Sequence, residues 1–175
     1  MKVTLLVDEW TSCAGGLSTF SRKLAIYLAK QPGLEITLWV PEKTLSAEHI
    51  EDARSYNIAV SEAKKRPGYD RLDWLSFPPA DLHPDVVIGN GQILGRQAQF
   101  FTDRPRSSSW IQVTHTVPEQ LCNFKSYPGA VLKGDEKQET ELELCKLADL
   151  VVTVGPKLFD EYYSRLRSQK DKDIL

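Results

Sequence analysis

Short apolar runs alternate with longer amphipathic segments along most of this chain. Residues 2–7 form an uninterrupted apolar, β-branched run, the pattern of a strand buried on both faces. Similar runs predict further strands at residues 35–40, 57–60, 85–88, 109–114 and 149–154. Strands that alternate with amphipathic helices predict a Rossmann-like α/β fold, a parallel sheet flanked by helices.

The helical segments are recognised by apolar residues at spacings of three and four. In the first, Leu17, Phe20, Leu24, Tyr27 and Leu28 predict one stripe that faces the sheet. Other helices are predicted at residues 46–56, after Gly91, at 135–146 and from Pro156. Residues 64–84 and 116–133 are predicted to be irregular, and the tail from Arg167 to fray.

Length, net charge and cysteine content limit the classes of protein to which this chain can belong. The chain has 175 residues, which suits one domain with a substantial core. A net charge of −2 gives no electrostatic basis for binding nucleic acid or an anionic membrane, and no apolar run is long enough to predict a transmembrane segment. Three widely spaced cysteines and no signal peptide favour a reducing, cytoplasmic location without a disulfide framework or zinc site.

Two adjacent glycines, Gly15 and Gly16, stand between the first strand and the first helix. They permit a sharp turn and leave uncovered the first N–H groups of the helix, as far as Leu17. Such donors at the positive end of a helix suit an anion such as a phosphate, although a tight turn without a ligand explains them equally well. The loop matches neither the dinucleotide-binding glycine pattern nor a P-loop.

Polar residues at the carboxyl ends of parallel strands are the natural site candidates. His115 directly follows a predicted core strand, where its ring can donate to a ligand hydroxyl or stabilise developing charge. The alternative is a histidine that holds its own loop together. Asn90, between two glycines, either reaches a ligand hydroxyl or occupies a left-handed turn.

Charged residues near the same edge have a functional and an ordinary interpretation. Arg96 is a candidate phosphate ligand or an exposed helical arginine. Glu119 is a candidate acceptor for sugar hydroxyls or a solvated loop acid. The charged run at residues 135–141 is interpreted as a solvent-exposed face.

An ordered set of short motifs spans about residues 1–167. The motifs are GGLST at 15–19, LA at 24–25 and 28–29, VP at 40–41, DVV at 85–87, VTHT at 113–116, Glu141, and ADLVVTV at 148–154. Their order and spacing resemble the N-terminal, acceptor-side domain of a GT-B fold glycosyltransferase of the GT4 type.

The resemblance implies a Rossmann-like domain at 1–167 and a polar tail at 168–175 that leads to a missing C-terminal Rossmann-like domain. In that family the glycine loop lies against the donor diphosphate or the acceptor, and the histidine lines the sugar-transfer site. These roles fall on Gly15, Gly16 and His115. The implied substrates are a nucleotide-diphosphate sugar and an unknown acceptor, usually with retention at the anomeric carbon and with no cofactor or required metal.

The sequence departs from the family pattern at two places. Gly155-Pro156 stands where the family usually has a serine, and the paired glutamates of the second domain, spaced E-x7-E, are not found. We therefore expect the 175-residue chain alone to be inactive, as half of an active site. The alternative function is a non-catalytic binding or signalling module that reuses this domain.

Overall fold

The computed structural model describes residues 1–11, 16–102, 108–122, 130–167 and 173–175, and contains a seven-stranded sheet. The strands are β1 (Lys2–Leu6), β2 (Glu35–Pro41), β3 (Ile58–Ala63), β4 (Val86–Asn90), β5 (Ser109–Thr114), β6 (Leu150–Thr153) and β7 (Asp173–Ile174). All neighbouring strands are parallel, in the order β3-β2-β1-β4-β5-β6-β7. The predicted Rossmann-like parallel fold is therefore confirmed.

Helices connect successive strands and cover the two faces of the sheet. They are α1 (Gly16–Ala29), α2 (Ala47–Ser55), α3 (Gly91–Thr102), α4 (Pro118–Cys122), α5 (Ala130–Leu147) and α6 (Pro156–Leu166), with a 3-10 helix at Arg71–Ser76. Within the described residues, no helix is long and apolar enough to cross a membrane.

Alternation along each strand divides the core between the two faces. In β1, the buried Val3 and Leu5 pack in the cluster that α1 and α2 cover, whereas Leu6 packs in the cluster beneath α3 and α5. In β5, the same alternation places Val113 on the face of the sheet covered by α1 and Trp110 on the face covered by α3. A sheet buried on both faces explains why its strands are continuous apolar runs.

Several predicted boundaries and faces differ from the structure. Leu17 and Tyr27 are 39% and 63% exposed, so the prediction that they belong to the buried stripe of α1 is wrong. The buried residues of this helix are the small Ser18, Ser21 and Ala25. Residues 173–175 do not fray, because Asp173–Ile174 pairs with β6 through backbone hydrogen bonds. The connections predicted as irregular contain the 3-10 helix and α4.

The strand order reverses between β1 and β4, which are neighbours in the sheet. The chain leaves β1 toward β2 on one side and leaves β4 toward β5 on the other, so a crevice opens beyond their carboxyl ends. Ligands of open α/β sheets bind at such a point.

β4 passes directly into α3 without an intervening loop. Asn90 ends the strand, and Gly91 begins the helix with φ of 56°, a left-handed conformation that favours glycine. Gly89 and Gly95 let the strand and the helix pack closely against each other and against the side chain of Gln112. This junction holds the end of β4 rigidly in the crevice.

We expect Gly89→Ala to lower the free energy of unfolding by about 1–3 kcal/mol, because the added Cβ would lie 2.8 Å from the Cα of Gly95. Gly16→Ala is the matched control, since a Cβ at Gly16 meets nothing within 4 Å. Chemical denaturation measures both variants. Equal midpoints for the two would contradict the close packing at this junction.

Candidate functional site

A cavity of about 620 Å³ lies at the carboxyl edge of the sheet, at the strand-order reversal. Among the described residues, its wall is formed by α1, the end of β4, α3, α4, α5 and the segments that follow β5 and β6. The lining includes Gly16, Phe20, Asn90, Gln92, His115 and Glu141. The topology thus brings together residues that lie far apart in sequence.

The N-terminus of α1 forms one side of the cavity. Gly16 is the first residue of the helix and Leu17, 39% exposed, follows it into the cavity wall. Gly15, the other glycine of the predicted loop, lies outside the described residues. Among the described residues, no atom lies within 4 Å of a Cβ built at Gly16.

The loop that leads from β1 toward α1 is held by polar contacts. The indole Nε1 of Trp10 donates to Asp52 at 2.7 Å, and Arg22 on α1 donates to the same carboxylate at 2.6 Å. Ser18 on α1 donates to Glu9 at 2.6 Å. These contacts fix the first turns of α1 against the end of the strand.

His115 and Asn90 form a hydrogen-bonded pair on the floor of the cavity. Nε2 of His115 lies 3.0 Å from Oδ1 of Asn90, and the ring packs edge-on against Phe20 of α1, with centroids 4.6 Å apart. The histidine therefore contacts a neighbouring strand and a helix. Asn90 is fully buried, and its left-handed interpretation is wrong because Gly91 is the left-handed residue of this turn.

Burial lowers the pKa of His115 to about 4, so the imidazole is neutral near pH 7. A neutral ring that faces the oxygen of Asn90 carries its proton on Nε2, which donates to that oxygen. Nδ1 then has a lone pair. The pair offers a ligand hydroxyl polar groups without a fixed charge.

Glu141, on α5, reaches the same junction from the opposite face of the sheet. The backbone N–H of Gln92 in the first turn of α3 donates to Oε2 of Glu141 at 2.9 Å. Burial raises the pKa of Glu141 to about 7, and the bonds from Gln92 and the Gln112 side chain lower it by less. The carboxyl group caps a helix end in a setting that favours its neutral form.

The interpretation of residues 135–141 as a solvent-exposed face is wrong for Gln138 and Glu141. These side chains are 2% and 3% exposed. The signal that could have found them is their spacing, since Gln138, Glu141 and the buried Cys145 follow one another at three and four residues on one helical face.

Two predicted site residues lie outside the cavity wall. Arg96 is exposed and donates to Asp73 at 3.0 Å, on the side of α3 that faces the 3-10 helix. Glu119, in α4, is half-buried and paired with Arg165 of α6. Their suggested roles toward phosphate and sugar stay predictions. In the described part of the chain, no group of three His, Cys, Asp or Glu side chains could hold a metal ion.

We expect Glu141→Gln to stabilise the fold above pH 7. The pKa of Glu141 is higher in the folded protein, about 7, than its ordinary value of 4.5, so its contribution to stability falls as the pH rises through this range. The amide keeps an oxygen for Gln92 without the cost of a buried charge. The gain should reach about 1–3 kcal/mol at pH 8 and fade toward pH 5.

The measurement is urea denaturation across this pH range. Glu143→Gln, on the same helix with its side chain 60% exposed, makes the same charge change and serves as control. If the two variants show the same pH profile, Glu141 is not the buried carboxyl group that the geometry indicates.

Comparisons with known proteins identify the family. A model described as Family 4 Glycosyltransferase in conflict systems matches residues 4–175. A search of curated proteins finds no match. Among solved structures, the chain resembles sucrose-phosphate synthase from Thermosynechococcus elongatus, with a TM-score of 0.63 and 14% identity over 99% of this chain and 47% of the synthase.

At this identity the structural likeness shows the fold, and the chain spans about half the length of the synthase. The family match instead extends over nearly the whole sequence. The resemblance to GT4-type glycosyltransferases is therefore confirmed, and the chain belongs to the family 4 glycosyltransferases of conflict systems.

Proposed function

We propose that this chain forms the acceptor-side half of an active site that transfers a sugar from a nucleotide-diphosphate donor. The observation that carries the proposal is the cavity at the strand-order reversal. The sequence indicates Gly16, Leu17, Asn90 and His115 as site candidates for different reasons, and all four line it. The crevice combines a helix N-terminus, which suits the diphosphate of such a donor, with neutral hydrogen-bonding groups, which suit its sugar.

The diphosphate is proposed to lie in front of α1. The first backbone N–H groups of a helix lack partners within the helix, and the helix dipole favours negative charge there. Among the described residues, none would meet a Cβ at Gly16 within 4 Å, which is compatible with close approach of phosphate oxygens. The polar contacts of Trp10, Arg22 and Ser18 hold this helix end in place before a ligand arrives.

The sugar is proposed to lie beside His115. With its Nε2 proton donated to Asn90, the neutral ring presents Nδ1 as an acceptor for a sugar hydroxyl. This contact orients the sugar without adding a full charge to the cavity. We place the transferred group between this ring and the acceptor, with retention at the anomeric carbon and without a metal.

A second Rossmann-like half is proposed to complete the site. Support comes from the fold match, in which this chain corresponds to about half of a longer glycosyltransferase-like structure. Group transfer requires donor and acceptor to be held in register, and the described half supplies one wall of the crevice. A cytoplasmic location is also proposed, on the basis of the three widely spaced cysteines.

The experiment is a transfer assay, with a panel of nucleotide-diphosphate sugars, of residues 1–175 alone and of residues 1–175 together with the proposed second half. We expect no turnover by the isolated chain and release of nucleoside diphosphate when both halves are present. His115→Ala should lower kcat by about 10²-fold, since it removes a positioned polar group at the reacting sugar.

His83→Ala is the matched control, because His83 is exposed and lies outside the cavity wall. Turnover that is unaffected by His115→Ala would contradict the assigned role. Binding of a nucleotide sugar without transfer when both halves are present would favour a binding module over an enzyme.

A further inference from the structure

We propose that Glu141 is the positioning residue of this site: by accepting the N–H of Gln92 it holds the β4–α3 junction and thereby the Asn90–His115 pair. This inference rests on the proposed function, because that function defines which residues form the site. The coupling between Glu141 and His115 is nevertheless a property of this chain alone. Glu141 would act indirectly, because its carboxyl group contacts the β4–α3 junction and not the reacting atoms.

A single contact can fix the backbone at the β4–α3 junction. β4 enters α3 with no intervening residues, and Gly91, at φ of 56°, makes the turn. The carboxyl group of Glu141 lies beside this turn, with Oε2 at 3.9 Å from the position of a Cβ on Gly91 and at 2.9 Å from the nitrogen of Gln92. The contact comes from α5, a separate element, so it ties the junction to the body of the domain.

Asn90 transmits the position of the junction to His115. Its backbone is bonded to Gly91, while its side chain lies on the α1 face of the sheet and pairs with Nε2 of His115 at 3.0 Å. Glu141 therefore holds the turn from one face of the sheet, and the imidazole is held from the other. If the turn at Gly91 shifts, the hydrogen bond between Asn90 and His115 changes. This bond determines which ring nitrogen of His115 carries the proton.

The chemistry of Glu141 suits this role over a range of pH. Both forms of a carboxyl group keep an oxygen that accepts from an N–H. The titratable groups around it are Tyr162 on α6, Cys145 on its own helix, Lys137 in the cavity wall and His115 itself. Burial raises the pKa of Tyr162, and Glu141 raises it further, so these two groups belong to one electrostatic environment.

The experiment measures the imidazole nitrogens of His115 and the amide of Gln92 by NMR at pH 7.5, in residues 1–175. In the unchanged protein we expect one tautomer, with the proton on Nε2. Glu141→Gln should preserve it, because the amide oxygen still accepts from Gln92. Glu141→Asp, which is one methylene too short to reach, should give a mixture of tautomers and shift the Gln92 amide.

Two further variants separate positioning from general stability. Glu141→Ala should act like Glu141→Asp if it folds, and the aspartate variant keeps the test valid if it does not. Gln138→Ala removes an equally buried polar side chain one turn away on α5. It should lower the melting temperature without changing the tautomer of His115.

An unchanged tautomer and an unchanged Gln92 amide in Glu141→Asp would overturn the proposal, as would a tautomer change in Gln138→Ala. With the proposed second half present, Glu141→Asp should lower kcat about tenfold with rescue in Glu141→Gln, because misplacing a catalytic group mainly weakens transition-state contacts. If the NMR coupling is present and the two halves together transfer no sugar, the positioning inference stands and the proposed function fails.

Discussion

The direct passage of β4 into α3 is the constraint on which the rest of the site depends. Small residues at 89, 91 and 95 allow the strand and helix to meet without a loop, and the junction stands at the reversal of the strand order. From this point Asn90 extends to one face of the sheet and the N–H of Gln92 to the other. A larger side chain at position 89 would push β4 and α3 apart, and the positions of both Asn90 and Gln92 depend on the contact between these two elements.

The electrostatic character of the cavity follows from burial. Within the part of the chain that the structure describes, Lys137 is the cation of the cavity wall, and it is exposed. Burial keeps His115 neutral near pH 7 and shifts the pKa of Glu141 to about 7. The proposed binding of a diphosphate therefore rests chiefly on the N-terminus of α1, where backbone dipoles supply partial positive charge without a charged side chain.

Residues at strand ends could be predicted from the sequence, because the carboxyl ends of parallel strands share one edge of the sheet. The alternation of strands and helices therefore suffices to bring Asn90 and His115 to the same edge. The spacing of Glu141 from Cys145 could have placed it on the buried face of α5, but its contact with Gln92 depends on the packing of α5 against α3, which the sequence pattern does not give. The position of Arg96 depends on the rotation of α3 about its axis, which the placement of the strand ends does not determine.

We propose that α1 and the Asn90–His115 pair form one ligand site. The most direct test is titration of a nucleoside diphosphate into isotopically labelled protein, followed through backbone amide shifts. We predict shifts at Gly16, Leu17 and Gln92, with a weak Kd on the order of millimolar because only half of the site is present. Gly16→Val should weaken these shifts, because a bulky β-branched side chain at this position would block close approach of an anion to the helix end. Unmoved amides at Gly16 and Leu17, with a response on another surface, would contradict the account.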